Sequence, residues 1–192
     1  MEWTIPLLVY VVVQFIAFLL VLVATPLDVF RFKPQNPNFP GCLTLWGFTN
    51  SCGSVLYDST LFEVWEGCPH HLSGFHAAEA FAIISILVYG AAFVLGVLML
   101  FCCSILRWVC LGLNIVGAIT VCIVWAIIVV IFFNGEGDIC PDLQSISNYG
   151  AGFGLFLAAW VLDILNIFVL LLSICTTVTT ESGQVEQTEG KL

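Results

Sequence analysis

Charged residues are scarce in this chain: they make up 9% of its 192 residues, against roughly a quarter of a soluble globular domain. The cations are fewest, and thirteen acids outnumber them to give a net charge of −9. There are four cations: Arg31, Lys33, Arg107 and Lys191. This scarcity excludes a soluble domain and also a nucleic-acid-binding surface, which needs a cluster of Lys and Arg.

The chain also lacks a recognisable catalytic constellation. No Ser, Cys or Thr nucleophile is placed with a base and an orienting acid, and the three histidines crowd one loop edge. We therefore predict that the protein is not an enzyme and needs no cofactor. Ordinary Asn-x-Ser/Thr glycosylation sites are missing as well. The rare variant Asn50-Ser51-Cys52 would not carry sugar if Cys52 were bridged.

Hydrophobic residues, by contrast, make up 60% of the chain. Four apolar runs are long enough to cross a bilayer as helices, which takes about 20 residues. They cover residues 5–25, 75–103, 108–133 and 149–175. The residues before the first run lack the basic start of a signal peptide, so the run is predicted to be a helix. We predict one all-α integral membrane domain, residues 1–192, with four helices in a left-handed bundle.

The orientation of these helices follows from cysteines, because the cations are divided equally between the two sides. Loops 26–74 and 134–148 lie on one side of the membrane and hold four cysteines, an even set suited to disulfides in an oxidising compartment. Both loops are therefore predicted to be extracellular and both termini cytoplasmic, in the plasma membrane. The polar tail 176–192 is predicted to be disordered.

The four loop cysteines allow three pairings. Cys42 and Cys52 stand ten residues apart around a possible turn and are suited to a hairpin disulfide. That choice leaves Cys68 and Cys140 to join the first loop to the third.

The residues between Cys42 and Cys52 have β character. Leu43 to Trp46 alternate as in a strand, 47–51 is turn-like, and 54–57 offers a returning strand. The first loop is therefore predicted to form a small extracellular sheet bridged by a disulfide.

The same segment resembles the signature of the amastins, four-helix surface proteins of trypanosomatid parasites. The matching residues are Cys42, Thr44, Leu45, Trp46, Gly47 and Cys52. A looser resemblance reaches the claudin group, through Tyr57-Asp58-Ser59 and an Ala-rich entry to the second helix. The resemblance implies a claudin-like fold.

The amastin resemblance implies a surface or adhesion protein that contacts a host membrane, a host surface protein or neighbouring membranes. The first loop contains more aromatic and apolar residues than a loop exposed to solvent needs. Some of these side chains are expected to form a contact patch. They are Phe39, Leu45, Trp46, Phe48, Phe62 and Trp65. Two alternatives are a tetraspan scaffold that organises other membrane proteins, and a proton, ion or small-solute transport component. On any of these interpretations the lipid bilayer is a partner, and a homo-oligomer is a further hypothesis.

The transport alternative depends on acids within the apolar runs. Asp163 lies near the centre of the fourth run, Asn166 follows one turn later, and Glu79 lies in the second run. An intramembrane acid is costly and indicates function by default. Gln14 is a candidate partner for Asp163, and an interhelical hydrogen bond that fixes packing is favoured over an ion path.

Two further groups carry weaker signals. His70, His71 and His76 lie near Cys68, but their spacing matches no known zinc arrangement, so no metal is predicted. A response of these histidines to acidic pH is a hypothesis. Cys102 and Cys103, at a membrane edge beside Arg107, are candidates for S-acylation or are simply small hydrophobic residues.

Overall fold

The fold is known from a computed structural model, which describes residues 5–33, 41–52, 56–101, 105–135, 140 and 142–189. For residues 176–189 only the backbone is described.

Four of its helices are long and apolar enough to cross a membrane, as predicted. They are α1 (Ile5–Ala24), α3 (Pro69–Phe101), α4 (Leu106–Phe133) and α6 (Ala151–Glu189), the last with its apolar span ending at Cys175. Two single-turn helices lie outside the spans, α2 (Leu61–Val64) and α5 (Leu143–Ile146).

The four long helices form a ring in which α1 packs against α3 and α6, and α4 against the same two. Although α1 is apolar on every face, only one face is buried, because its buried residues recur every three or four positions. Outward-facing side chains such as Leu87 and Phe168 are more than half exposed. These apolar outer faces are suited to contact with lipid acyl chains, as expected for helices that span a membrane.

A five-stranded sheet covers one end of the ring. Its strands are β1 (Asp28–Phe32), β2 (Cys42–Thr44), β3 (Gly47–Thr49), β4 (Ser59–Thr60) and β5 (Ser147–Tyr149). The order is β4-β3-β2-β1-β5, and every neighbouring pair is antiparallel. The sheet lies where α1 and α4 end and α3 and α6 begin, so loops one and three build it together.

The predicted sheet was therefore too small, and part of it was wrong. Residues 47–49 form a strand instead of a turn. The predicted returning strand is absent at Leu56 and Tyr57, and its other two residues, 54 and 55, lie outside the described part. The return is made by β4 instead. Strands β1 and β5 were missed because each is short and follows or precedes a membrane helix directly.

Phe30 on β1 joins the sheet to the helices. Its ring is fully buried and packs 5.9 Å from Phe132 of α4, 6.3 Å from Phe75 of α3 and 6.1 Å from Tyr149 of β5. Tyr149 continues the cluster by stacking on Phe153 of α6 at 4.2 Å. Desolvation raises the pKa of the Tyr149 hydroxyl, so it stays neutral at physiological pH.

Two helix limits differ from prediction by more than two residues. Helix α3 begins at Pro69, six residues before the predicted start at 75, because proline suits the first position of a helix. The apolar pattern missed these turns because they are polar. Helix α6 continues to Glu189 where disorder was predicted, since extending an existing helix costs far less than starting one. Cys102 and Cys103 lie outside the described residues.

Candidate functional site

The signature residues form a tight hairpin whose turn is closed by one hydroxyl. Thr44 Oγ1 accepts hydrogen bonds from the backbone N–H groups of Trp46 and Gly47, both at 3.1 Å, and donates to the Gly47 carbonyl at 2.9 Å. A two-residue loop, Leu45-Trp46, then returns the chain with Leu43 opposite Phe48. A side chain at Gly47 would collide with the Ser59 carbonyl of β4, so only glycine fits there.

The two loop residues anchor this hairpin to the membrane domain. Leu45 is fully buried in the main core cluster. The Trp46 indole Nε1 donates to the Thr25 carbonyl at 3.1 Å, just beyond the end of α1. That carbonyl follows a helix C-terminus, where backbone acceptors lack intrahelical partners. The signature therefore fixes the sheet to α1.

Both expected disulfides are present in the structure. Cys42–Cys52 spans the hairpin with its Cα atoms 5.4 Å apart, and Cys68–Cys140 joins the start of α3 to the third loop with its Cα atoms 6.0 Å apart. The other described cysteines, Cys110, Cys122 and Cys175, form no disulfide and lie within the helices. The sheet is thus covalently braced at two places.

The expected contact patch is mostly internal. Phe39 lies outside the described residues. Of the other five, Leu45 and Trp65 are buried, Trp46 and Phe48 pack partly against the core, and Phe62 alone is exposed, at 67%. The alternation of apolar residues did not reveal which of them face inward, because that depends on the sheet above the helix ends.

Two other apolar residues accompany Phe62 at the outer surface. Leu56 and Tyr57 are 79% and 52% exposed. They precede the edge strand β4, and Phe62 lies in α2 immediately after it. We call Leu56, Tyr57 and Phe62 the edge patch. The sequence signal for it was weak, since Leu56 and Tyr57 belonged to the predicted returning strand.

Acidic side chains surround the edge patch. Asp58, Glu63 and Glu66 are exposed, while the two cations of the first loop are already engaged: Arg31 pairs with Asp28 at 3.1 Å and Lys33 donates to backbone carbonyls of the third loop. Asp58 accepts from the backbone and side chain of Asn50, at 2.8 and 3.0 Å, and so fixes this edge. The patch is therefore an apolar surface with an acidic margin.

The histidines do not converge on a common point. His71 is buried and stacks on the Trp65 ring at 4.9 Å, whereas His70 and His76 are exposed. Cys68 is unavailable as a metal ligand because it is in a disulfide. Within the described residues, no three His, Cys, Asp or Glu side chains are grouped to hold a metal ion. A cleft of about 240 Å³ between α3 and α4 is lined by His70, His71, Val130, Ile131 and Asn134.

The intramembrane polar residues are arranged differently from prediction. Gln14 Oε1 accepts a hydrogen bond from Asn166 Nδ2 at 2.8 Å and makes none with Asp163. Asp163 instead faces Tyr89 of α3 and Gly117 of α4. Glu79, half-buried, lies ten residues from Tyr89, about 15 Å along α3. Asp163 and Glu79 therefore do not form one polar path.

A family model described as "Amastin surface glycoprotein" matches residues 15–170. That range covers most of the chain: it includes the sheet, both disulfides, all of α3 and α4, and part of α1 and α6. The chain belongs to the amastin family. No curated protein matches this amastin. It is a multi-pass surface membrane protein, as four apolar helices and the family together indicate.

The anchoring role of Trp46 in this amastin is testable by a conservative change. Trp46→Phe keeps an aromatic ring but removes the donor to the Thr25 carbonyl, so we expect a loss of about 1 kcal/mol in unfolding free energy. The measurement is denaturant unfolding in detergent micelles. Cell contact, measured at equal surface amounts, should stay unchanged. A loss of contact without a loss of stability would show that Trp46 belongs to the working surface.

Proposed function

We propose that this amastin acts by contact and not by catalysis. It lies in the plasma membrane with both termini cytoplasmic, and its edge patch meets a host or neighbouring cell surface. The observation that carries the proposal is the exposure of Leu56, Tyr57 and Phe62 together at one edge of a braced sheet. Exposed apolar groups that stand together on a rigid support are typical of interaction sites.

The acidic margin narrows the choice of partner. Asp58, Glu63 and Glu66 would repel an anionic lipid surface, whereas they complement basic residues on a protein. The proposal therefore favours a surface protein with an apolar pocket and a basic margin. We infer also that the bundle is left-handed, as most transmembrane bundles are. We infer that it is claudin-like, which is supported by four spans covered at one end by one sheet.

The test compares non-adherent cells that display the wild type with cells that display Tyr57→Ser/Phe62→Ser. We expect adhesion to cell monolayers to fall about tenfold, because two aromatic anchors are lost. Asn148→Ala is the matched control, since Asn148 is exposed on β5 at the opposite edge of the sheet. A C-terminal tag should be inaccessible to antibody on intact cells.

The result is interpretable only at equal surface amounts, which antibody labelling measures. Unchanged adhesion of the double variant would contradict the contact proposal. That result would favour the scaffold alternative. Crosslinking in native membranes tests this alternative, which expects partners held within the bilayer. The transport alternative in its original form lacks support, because Asp163 and Glu79 lie apart.

A further inference from the structure

A cluster of polar side chains lies at the centre of the bundle, independent of the edge patch. Each of the four long helices contributes at least one member, and none is more than 1% exposed. The members are Tyr10 and Gln14 from α1, Tyr89 from α3, Asn114 from α4, and Asp163 and Asn166 from α6. Burying polar groups at this depth is costly unless they are paired, so such a cluster indicates a function by default.

Hydrogen bonds inside the cluster occupy the side-chain amide N–H donors of Asn114 and Asn166. Asn166 Nδ2 donates to Gln14 Oε1 at 2.8 Å. Asn114 Nδ2 donates to the Tyr10 hydroxyl at 2.9 Å and to the Cys110 carbonyl at 2.8 Å. These bonds tie α1 to both α4 and α6.

The oxygens, in contrast, are poorly supplied with donors. Both carboxylate oxygens of Asp163 and the amide oxygens of Asn114 and Asn166 are buried and accept no hydrogen bond from any described residue. The Tyr89 hydroxyl lies beside the carboxylate without a hydrogen bond of ordinary geometry. Each such buried acceptor costs about 1–3 kcal/mol. An excess of oxygen acceptors at one place is what a hard cation requires.

Helix geometry brings these oxygens to within about one helical turn of one another. Asn166 lies one turn after Asp163, on the same face of α6. On α4, Gly117 lies so near that a Cβ there would be 3.4 Å from Asp163 Oδ2, and Asn114 is one turn before it. The absence of a side chain at Gly117 leaves the carboxylate accessible from the centre of the bundle.

The charge of the cluster selects the class of ion. Asp163 is its one carboxylate, and the other titratable groups that face it are the hydroxyls of Tyr89 and Tyr10. One negative charge neutralises one monovalent cation, whereas a divalent ion would leave an uncompensated charge in a medium of low dielectric constant. We infer that Asp163, Asn166, Asn114 and Tyr89 bind a single dehydrated alkali cation such as Na⁺ inside the membrane domain.

The test measures binding of ²²Na⁺ and thermal unfolding on the purified full chain in detergent at constant pH and ionic strength. We expect NaCl, but not choline chloride, to raise Tm by about 5 °C when Na⁺ is present at one hundred times its Kd. Asp163→Asn should abolish both effects. KCl tests whether the site takes the larger alkali ion, and either alkali ion acting through Asp163 supports the inference.

Two milder variants and one control sharpen the result. Tyr89→Phe removes one oxygen and should weaken Na⁺ binding about two- to tenfold. Gly117→Ala should weaken it also, since the new methyl group would lie 2.8 Å from the Tyr89 ring. Glu79→Gln is the matched control, because it removes a carboxylate from α3 about 15 Å away from Tyr89, and binding should persist.

Folding of each variant is checked by monodisperse elution and intact disulfides. Absence of Na⁺- or K⁺-dependent stabilisation in the wild type, with no bound ²²Na⁺, would overturn the inference and assign a protonated Asp163. Stabilisation that Asp163→Asn retains would overturn it equally, since the ion would then lie elsewhere.

Discussion

Phe30→Ala is expected to lower the unfolding free energy by about 3–5 kcal/mol, the range for a fully buried Phe changed to Ala. Phe30 is the β1 residue whose ring packs against aromatic rings of α3, α4 and β5. Its removal leaves a cavity at the point where the sheet rests on the helix ends. Reversible unfolding in mixed micelles measures the loss.

Phe62→Ala provides the matched control for this cavity. Phe62 belongs to the same loop region but is 67% exposed, so its loss should stay within about 0.5 kcal/mol. The pair therefore separates the residue that supports the sheet from the residue that the sheet presents. Equal losses for both variants would contradict the arrangement of Phe30 beneath the sheet.

The second large effect is expected from Cys68→Ser/Cys140→Ser. The bond joins residues 72 apart in sequence, whereas Cys42–Cys52 joins residues 10 apart. The loop-entropy relation gives a loss of about 4 kcal/mol for the longer loop and about 3 kcal/mol for the shorter. The first figure is an upper value, because the helices within that loop stay formed in an unfolded membrane state.

Both double variants are compared by the same unfolding measurement, with the wild type in reducing agent as a third sample. Loss of the Cys68–Cys140 bond should also separate the third loop from α3 and make β5 accessible to protease. Cys42→Ser/Cys52→Ser should leave β5 protected, because β5 pairs with β1 and not with the hairpin. A greater loss from the hairpin bond would contradict this order.

The family signature illustrates where prediction from sequence succeeds and where it stops. Cys42 and Cys52 indicated a bridged hairpin, which the structure contains. Trp46 seemed suited to contact, yet its indole is committed to the Thr25 carbonyl. A half-buried tryptophan and an exposed one have the same sequence neighbours, so only the position of α1 distinguishes them.

The polar residues of the spans show the same division. Asp163 was identifiable because an acid is costly in any apolar run. Its surroundings were not identifiable from the sequence. Asn166 forms the hydrogen bond with Gln14, and the carboxylate lies beside Tyr89 and Gly117 instead. Which helices adjoin α6 decides those partners, and periodicity in an all-apolar helix does not encode its neighbours.

By itself, the sequence determined that this chain crosses the membrane four times and that its loop cysteines lie on one side, because span length and composition are local properties. The tertiary structure alone decided that β1 and β5 complete the sheet and that the signature faces inward and the edge patch outward. It also decided that polar groups of four helices are buried together within the bundle. These features depend on contacts between residues far apart in the chain, and such contacts form only when the helices pack.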